Sequence, residues 1–533
     1  MLVNPRAEFS FWTLPESCRL TGSKTLAPPL GLITAAALLP DSWDLRLRDL
    51  NIADLTEADW DWADLVMMTG MLSQRTHLLA LVREAKALGK RVVLGGPYPT
   101  SLSEEVLDAG ADFLVRGEAE NSMDRLLAAL AEGKEHGVFE DPEKPDMTAS
   151  PVPRFDLLHL DDYQFLLVQT SRGCPFNCEF CDIVNLYGRK PRYKAPDQVI
   201  EEFETLYQLG WRRTIFVGDD NFIGNKIHAR AILERIIQWQ KSRGEPFGLL
   251  TQASVNLGQD VEMIDLLTAA NFGPVFIGIE SPDEDVLERS RKYQNVHNPL
   301  AESVSTINRN GLIVYGSFIM GFDGERKGAD DRICKFVEDT NLSFAMINTM
   351  RALPNTSLWD RLKREGRLLE DAHLGEHIAG SQFNFIPTRP EEEIVEEFVR
   401  VWDRLYEPGA YFARTYRYLA NMRPTRKALG IVDDTGSSAP KQKRSFKESF
   451  YLVRGFLLLL WLQGIRPSYR WQFWKYLFLI RLKNPSRFVT YIHMCGLGEN
   501  MFRIRESLRR TRGTAPKRIE KMVPPASSQA RSA

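Results

Sequence analysis

The sequence predicts an α/β chain in three parts: a doubly wound parallel sheet at the N-terminus, a partial barrel of about six βα units, and a helical C-terminal segment. Three observations carry that prediction. Short apolar runs alternate with amphipathic stretches through the first part and again through the second, as parallel strands covered by helices do. Prolines and acids crowd between the two parts, from Asp141 to Pro153. After about Glu391 the alternation stops and helical patterns take over.

In the first part Met1 to Pro5 reads as a short strand, followed by strands at Leu45–Leu50, Leu65–Thr69, Val92–Gly95 and Phe113–Arg116. Helical patterns lie between them at His77–Leu88, Glu104–Ala109 and Ser122–Ala131. In the second part the strands are Phe165–Thr170, Thr214–Val217, Leu249–Ala253, Val275–Ile279, Ile313–Met320 and Ala345–Met350. Val199, Ile200, Phe203 and Leu206 make one apolar stripe behind the helix-start signal Pro196-Asp197. The expected units are 1–140 (first domain), 141–160 (linker), 161–390 (partial barrel), 391–432 (helical extension), 441–510 (basic, apolar helical segment) and 511–533 (disordered tail). A small polar linker is expected from Asp433 to Pro440.

With 533 residues the chain has room for two or three domains. A net charge of −2 implies no global field for nucleic acid or acidic lipid. The N-terminus lacks the basic start and apolar core of a signal peptide, which predicts a cytoplasmic protein. No uncharged apolar run is long enough to predict an ordinary membrane span.

Six cysteines are too sparse for a disulfide scaffold, yet Cys174, Cys178 and Cys181 fall within eight residues. They sit on a loop after a predicted strand, in Ser171-Arg172-Gly173-Cys174-Pro175-Phe176-Asn177-Cys178-Glu179-Phe180-Cys181. Thiolates are soft ligands that suit an iron–sulfur cluster or zinc. Structural zinc takes four ligands, usually as two close pairs, and no nearby residue completes such a set. Three ligands on a four-iron cube leave one iron open for a further ligand.

The C-x3-C-x-aromatic-C string, with a strand before it and about six βα units, resembles the radical S-adenosylmethionine superfamily. The resemblance implies a 4Fe-4S cluster whose open iron chelates S-adenosylmethionine. It implies reductive cleavage to a 5′-deoxyadenosyl radical, and an external reductant such as flavodoxin or ferredoxin. Phe180 matches the aromatic that lies by the adenine. Asp219 and Asp220 stand where the family has a Gly-Gly-Glu-like motif for the methionyl amino group; both are aspartates here, so either is the candidate, and a helix N-cap before the Lys226 helix is the structural alternative. Gln252, Ser254 and Glu280 match strand-end positions that bind ribose or carboxylate, with capping or a salt bridge as the plain alternative for Glu280. Arg351 is a weak candidate for the methionyl carboxylate.

The first part resembles the Rossmann-like cobalamin-binding domain that precedes the radical domain in one large subclass. The matching strings are Pro28-Pro29-Leu30-Gly31-Leu32, Thr69-Gly70-Met71-Leu72-Ser73, Gly95-Gly96-Pro97 and Gly117-Glu118-Ala119-Glu120. Glycine at a strand end lets backbone approach a large ligand, so Gly31, Thr69, Gly70, Ser73, Gly95, Gly96, Pro97, Gly117 and Glu118 are the candidate cobalamin contacts. The Asp-x-His-x-x-Gly motif of histidine-ligated cobalamin is missing; His77 reads as a helix-start residue, and Tyr98 as either a corrin neighbour or a packing residue.

From Lys441 to Arg512 sixteen Lys and Arg face three acids, which suggests an anionic partner. Tyr451–Leu462 and Phe473–Ile480 are apolar, Trp-bearing and too short to span a bilayer. A lid on the barrel and a membrane-surface contact, peripheral on the inner membrane, both fit; nucleic acid does not, because the segment is too apolar for a solvated arm. The strings Asp182-Ile183, Leu186–Arg192, Asp219–Asn225, Ala352–Thr356 and Leu358–Leu362, with Trp474-Lys475, resemble the hopanoid C-2 methylase family over nearly the whole chain. That implies methylation of an unactivated carbon in a small apolar substrate, hopanoid-like or another isoprenoid or polycycle. A cobalamin-dependent enzyme of another reaction type, such as a tetrapyrrole cyclase or methylase, is the alternative. A methylthiotransferase is disfavoured, since its second cysteine triad would lie where only Cys18 is found.

Overall fold

The computed structural model describes residues 1–8, 10, 13–369, 383–431 and 446–511, with side chains omitted at 446–449 and 511. The Asp433–Pro440 linker and the tail after 511 lie outside the described residues.

Six parallel strands form the first sheet: β1 (Leu2–Asn4), β2 (Leu47–Asp49), β3 (Leu65–Thr69), β4 (Arg91–Gly95), β5 (Phe113–Arg116) and β6 (Gly137–Glu140), in the order β2-β1-β3-β4-β5-β6. Two apolar layers cover its faces, one around Val3, Val66 and Leu94, the other around Leu2, Met67 and Val93. Neighbours along each strand thus point to opposite cores, as both-face burial of a parallel sheet requires. Chain order reverses between β1 and β3, so their C-terminal ends frame the crevice where such sheets take ligands. β6 was not foreseen: it is a four-residue edge strand in which Gly137 and Phe139 are half-buried and Val138 and Glu140 exposed.

After β6 the chain crosses in three 3₁₀ turns, anchored by buried Met147 and Phe155. The second sheet contains β7 (Leu166–Val168), β10 (Thr214–Val217), β11 (Gly248–Ala253), β12 (Phe272–Glu280), β13 (Ile313–Met320) and β14 (Phe344–Thr349), all parallel and in chain order. A two-residue antiparallel pair, β8 (Ser171–Arg172) with β9 (Arg192–Tyr193), brackets the cysteine loop. The six strands are the six expected ones, and their open array places the C-terminal ends along one rim.

Helices Glu391–Leu405 and Pro408–Ala420 pack on the far edge, where the Tyr406 hydroxyl bonds β14 at Ala345 and the Tyr418 hydroxyl accepts from Val314 N at 2.7 Å. Helices Phe446–Leu459, Arg470–Lys483 and Phe488–Thr511 follow. Phe473, Leu477, Ile480, Tyr491, Met494 and Phe502 turn inward and join the barrel core. The C-terminal segment is therefore packed on the body of the protein, as the lid reading expected.

Candidate functional site

The cysteine loop is held from both ends. Asp219, at the end of β10, is fully buried; its carboxylate accepts from Thr170 N (2.6 Å), Thr170 Oγ1 (2.5 Å), Ser171 N (3.1 Å) and Ser171 Oγ (2.7 Å). Gly173 then turns with φ +97, and a Cβ there would sit 2.9 Å from the Gly188 carbonyl, so only glycine fits. Between the second and third cysteines, Glu179 N donates to Ser290 O at 2.9 Å, and the Glu179 carboxylate takes Arg361 Nε at 2.5 Å.

The three thiols are free and partly exposed, and burial pushes those of Cys174 and Cys181 above the ordinary thiol pKa. A cationic inorganic group is what would bring them to thiolate. Among the described residues no three His, Cys, Asp or Glu side chains converge on a site for one metal ion. Three thiolates on one loop are a soft ligand set of the kind an iron–sulfur cluster takes.

The aspartate pair divides. All four donors around Asp219 come from the chain, which leaves it nothing for a ligand. Among the described residues Asp220 accepts only Gly173 N, at 2.9 Å, and burial together with the charges of Asp219 and Asp182 pushes its carboxyl up to about 7. A bound ammonium would restore its charged form. Neither aspartate caps the following helix; Asn225 does, accepting from Ile227 N at 3.1 Å and His228 N at 3.3 Å.

Glu280 ends β12 in the left-handed region, φ 64, at a register shift in the sheet. A non-glycine residue in that region is strained, and the register shift bends the end of the strand. Its carboxylate takes Lys292 Nζ at 2.7 Å. Gly278 makes room, since a Cβ there would lie 2.2 Å from Glu280 Oε1. Burial pulls the Lys292 pKa down, but the Glu280 carboxylate, and to a lesser degree negative charge on Cys178, hold it above its ordinary value. Lys292 Nζ also stands 5.8 Å from the Phe180 ring centroid. Two residues on, Gln294 Nε2 donates to Cys178 Sγ at 3.5 Å, while Gln294 Oε1 is buried without a partner. Lys292 and Gln294 escaped the sequence reading. They lie at the start of the short helix Tyr293–Val296, too brief to show a periodic pattern, and reach the loop from over a hundred residues away; the one local sign was Gly278 before Glu280.

Ser254 accepts from Asn221 Nδ2 at 3.2 Å and donates to Asn256 Oδ1 at 2.5 Å, and the Gln252 carbonyl accepts Phe222 N at 3.0 Å. Both residues thus brace the loop that carries Asp220. Phe180 packs edge-on against Phe322 at 5.7 Å. A cavity of about 280 Å³ adjoins it, lined by Arg289, Phe322, Met350 and Phe385 among others. Arg351 follows β14 on the same rim.

On the first sheet, Thr69 ends β3 and Gly70 and Ser73 follow it, Gly95 ends β4 and Gly96 and Pro97 follow it, and Gly117 and Glu118 follow β5, all at the C-terminal edge. Gly31 and Gly117 face open space, with nothing within 4 Å of where a Cβ would be. Gly96 has another reason to be glycine: φ is +95, and a Cβ would meet Thr69 Oγ1 at 2.3 Å. Tyr98 is not a corrin neighbour; it is buried, and its hydroxyl donates to Glu105 Oε2 at 2.7 Å. His77 Nδ1 accepts Arg6 N at 2.8 Å, in keeping with a helix-start role. Glu118 is spent on the second part of the chain: it takes Arg172 Nη1 and Arg192 Nη2, each at 2.7 Å, and Glu120 takes Arg172 at 2.8 Å.

Family models match three stretches: a B12 binding domain over residues 18–127, the Radical SAM superfamily over 168–337, and a domain of unknown function, DUF4070, over 356–513. An uncharacterised methyltransferase of Synechocystis is 44% identical over 96% of this chain and 93% of its own. Hopanoid C-2 methylase of Rhodopseudomonas palustris is 34% identical over 89% of this chain and 88% of its own. The radical S-adenosylmethionine methyltransferase TsrM from Kitasatospora setae, solved with cobalamin and a 4Fe-4S cluster, shares the fold: TM-score 0.56 over 95% of this chain and 99% of that one, at 15% identity.

Proposed function

The chain belongs to the cobalamin-dependent radical S-adenosylmethionine methyltransferases, and from that premise we propose that it methylates an unactivated carbon of an apolar polycyclic or isoprenoid substrate of the hopanoid kind. Its cofactors are a 4Fe-4S cluster, S-adenosylmethionine and cobalamin. The likeness to hopanoid C-2 methylase along most of both chains supports the substrate class.

When bound, the cluster and S-adenosylmethionine supply hydrogen abstraction, and cobalamin supplies the methyl group. In this reading Cys174, Cys178 and Cys181 hold the cluster. Asp220 takes the methionyl amino group, and Asp219 fixes the loop that presents the cysteines. Glu280 and Lys292 form a buried pair facing the cluster, and Phe180 walls the nucleoside side. The open glycines Gly31 and Gly117, with Thr69, Gly70, Ser73, Gly95, Gly96 and Pro97, shape the cobalamin crevice. An external reductant such as flavodoxin or ferredoxin supplies electrons, and the basic C-terminal segment meets a membrane surface.

The test is anaerobic incubation of the reconstituted protein with S-adenosylmethionine labelled in its methyl group, a reductant and a hopanoid-containing lipid extract. The expected outcome is label in the apolar lipid fraction and S-adenosylhomocysteine as co-product, both absent in Cys178→Ala. Label that enters a tetrapyrrole fraction, with lipids unlabelled, would overturn the substrate class.

A further inference from the structure

We propose that the outer face of the C-terminal helices is a docking surface for an anionic lipid bilayer, on which the protein lies without crossing it. Among the described residues, 12 of the 22 large apolar side chains that stand exposed fall between Phe450 and Val489. That is far denser than the scatter of single exposed hydrophobes expected on a soluble surface.

The helices have two apolar faces. In Arg470–Lys483 the inward stripe is Phe473, Leu477 and Ile480, and the outward one is Trp471, Trp474, Phe478 and Leu482. Their spacings of three and four residues keep each stripe on one side. Trp471, Phe478 and Leu482 are each at least 63% exposed, so the protein core does not explain them. Helix Phe446–Leu459 is docked by a glycine: a Cβ on Gly455 would lie 2.1 Å from the Leu20 carbonyl. Val453, Leu457 and Trp461, four apart, stand exposed. The two outward stripes meet at the turn of π-helix Leu460–Ile465, where the Trp474 indole donates to Gly464 O at 2.8 Å.

Charge selects the occupant. From Ser449 to Gly498 there is no Asp or Glu, but there are seven Lys and Arg. Arg454, Arg466, Lys475, Arg481 and Lys483 among them are exposed. Exposed Trp with flanking cations is how interfacial helices sit at the headgroup level. A protein partner or a second copy would need an acidic, apolar counter-surface, and two copies of this face would oppose cation to cation. The sequences on either side, 432–445 and 512–533, are polar and too poor in apolar residues to cover the stripes. Among the described residues no helix is long and apolar enough to cross a membrane, which leaves a surface mode. For its purpose this surface rests on the apolar-substrate reading, since a substrate dissolved in the bilayer would reach the enzyme there; vesicle binding and lipid methylation are measured separately, so either can fail alone.

The test is flotation of the full-length protein with vesicles of phosphatidylcholine, with and without phosphatidylglycerol, at low and moderate salt. The expected result is flotation with the anionic vesicles, weakened by salt. The triple variant Trp471→Ser, Phe478→Ser, Leu482→Ser should bind at least about tenfold more weakly, because three exposed side chains no longer enter the interface. A second variant, Lys475→Glu with Arg481→Glu, keeps the apolar stripe and should lose the preference for anionic lipid. Both should keep the wild-type circular dichroism and iron content. No flotation of the wild type, equal flotation of the triple variant, or a wild-type dimer on light scattering that the triple variant converts to monomer would overturn the proposal.

Discussion

Single residues around the cysteine loop carry distinct tasks that their neighbours in sequence disguise. Asp219 and Asp220 are adjacent carboxylates, and nothing in the string Gly218-Asp219-Asp220-Asn221 says which one serves a ligand. The fold decides through the partners each one meets: Asp219 is saturated by Thr170 and Ser171, and Asp220 takes a single backbone N–H, that of Gly173, among the described residues. Asp219→Asn would put an amide NH₂ among donors and forfeit charge-assisted bonds worth about 1.5–3 kcal/mol each. That variant is expected to lose melting temperature and to take up less iron on reconstitution. Asp220→Asn should keep its iron and melting temperature but bind S-adenosylmethionine at least about tenfold more weakly, as the loss of one charge-assisted bond implies. Calorimetry on the reconstituted proteins checks both, and the reverse pattern would sink the assignment. The cysteines were legible because three soft ligands in eight residues have few other uses. Lys292 and Gln294 were not, because long-range convergence leaves no periodic trace.

At the level of elements, the strands of both sheets could be read from short apolar runs bounded by turn residues, and what escaped was what lacks a buried face. β6 is half-exposed, and β8 with β9 is only two residues long, so neither writes a hydrophobic pattern. The C-terminal helices raised the opposite difficulty. They are apolar nearly all round, so periodicity could not separate a lid from a membrane contact; the structure shows inward stripes packed on the barrel and leaves the outward ones uncovered. One glycine is decisive for that packing. In an exposed helix Gly→Ala or a similar change usually helps by roughly 0.5–1 kcal/mol. At Gly455 the added Cβ would collide with the Leu20 backbone. Gly455→Val is therefore expected to destabilise by about 1–3 kcal/mol, the usual cost of overpacking, and to expose helix Phe446–Leu459 to protease. Thermal unfolding and limited proteolysis measure this; an unchanged or raised melting temperature would show that the helix does not dock on the Leu20 turn.

On the scale of the whole molecule, two ligand-binding rims must be held in one relation if a methyl group and a substrate carbon are to meet. The link between them is ionic and local to both sites. Arg172 lies two residues before the first cysteine, Glu118 lies one residue after the open Gly117, and Arg192 comes from the strand that closes the cysteine loop. Glu118 is only 3% exposed in its side chain, and its two arginine partners are 11% and 15% exposed. Removing one partner of such a buried pair typically costs about 3–5 kcal/mol, since the charges left behind stay desolvated. Glu120 still holds Arg172 at 2.8 Å, so Glu118→Gln should weaken the junction without dissolving it. Each half retains its own sheet and core, so cobalamin content and cleavage of S-adenosylmethionine to 5′-deoxyadenosine should persist. Transfer of the labelled methyl group into product should fall at least about tenfold, because productive geometry tolerates little misplacement. The ratio of 5′-deoxyadenosine to methylated product is the measurement. A variant in which both quantities fall together would place Glu118 in the cofactor sites themselves, and one in which neither changes would leave the ion pairs as surface stitching with no part in coupling the halves.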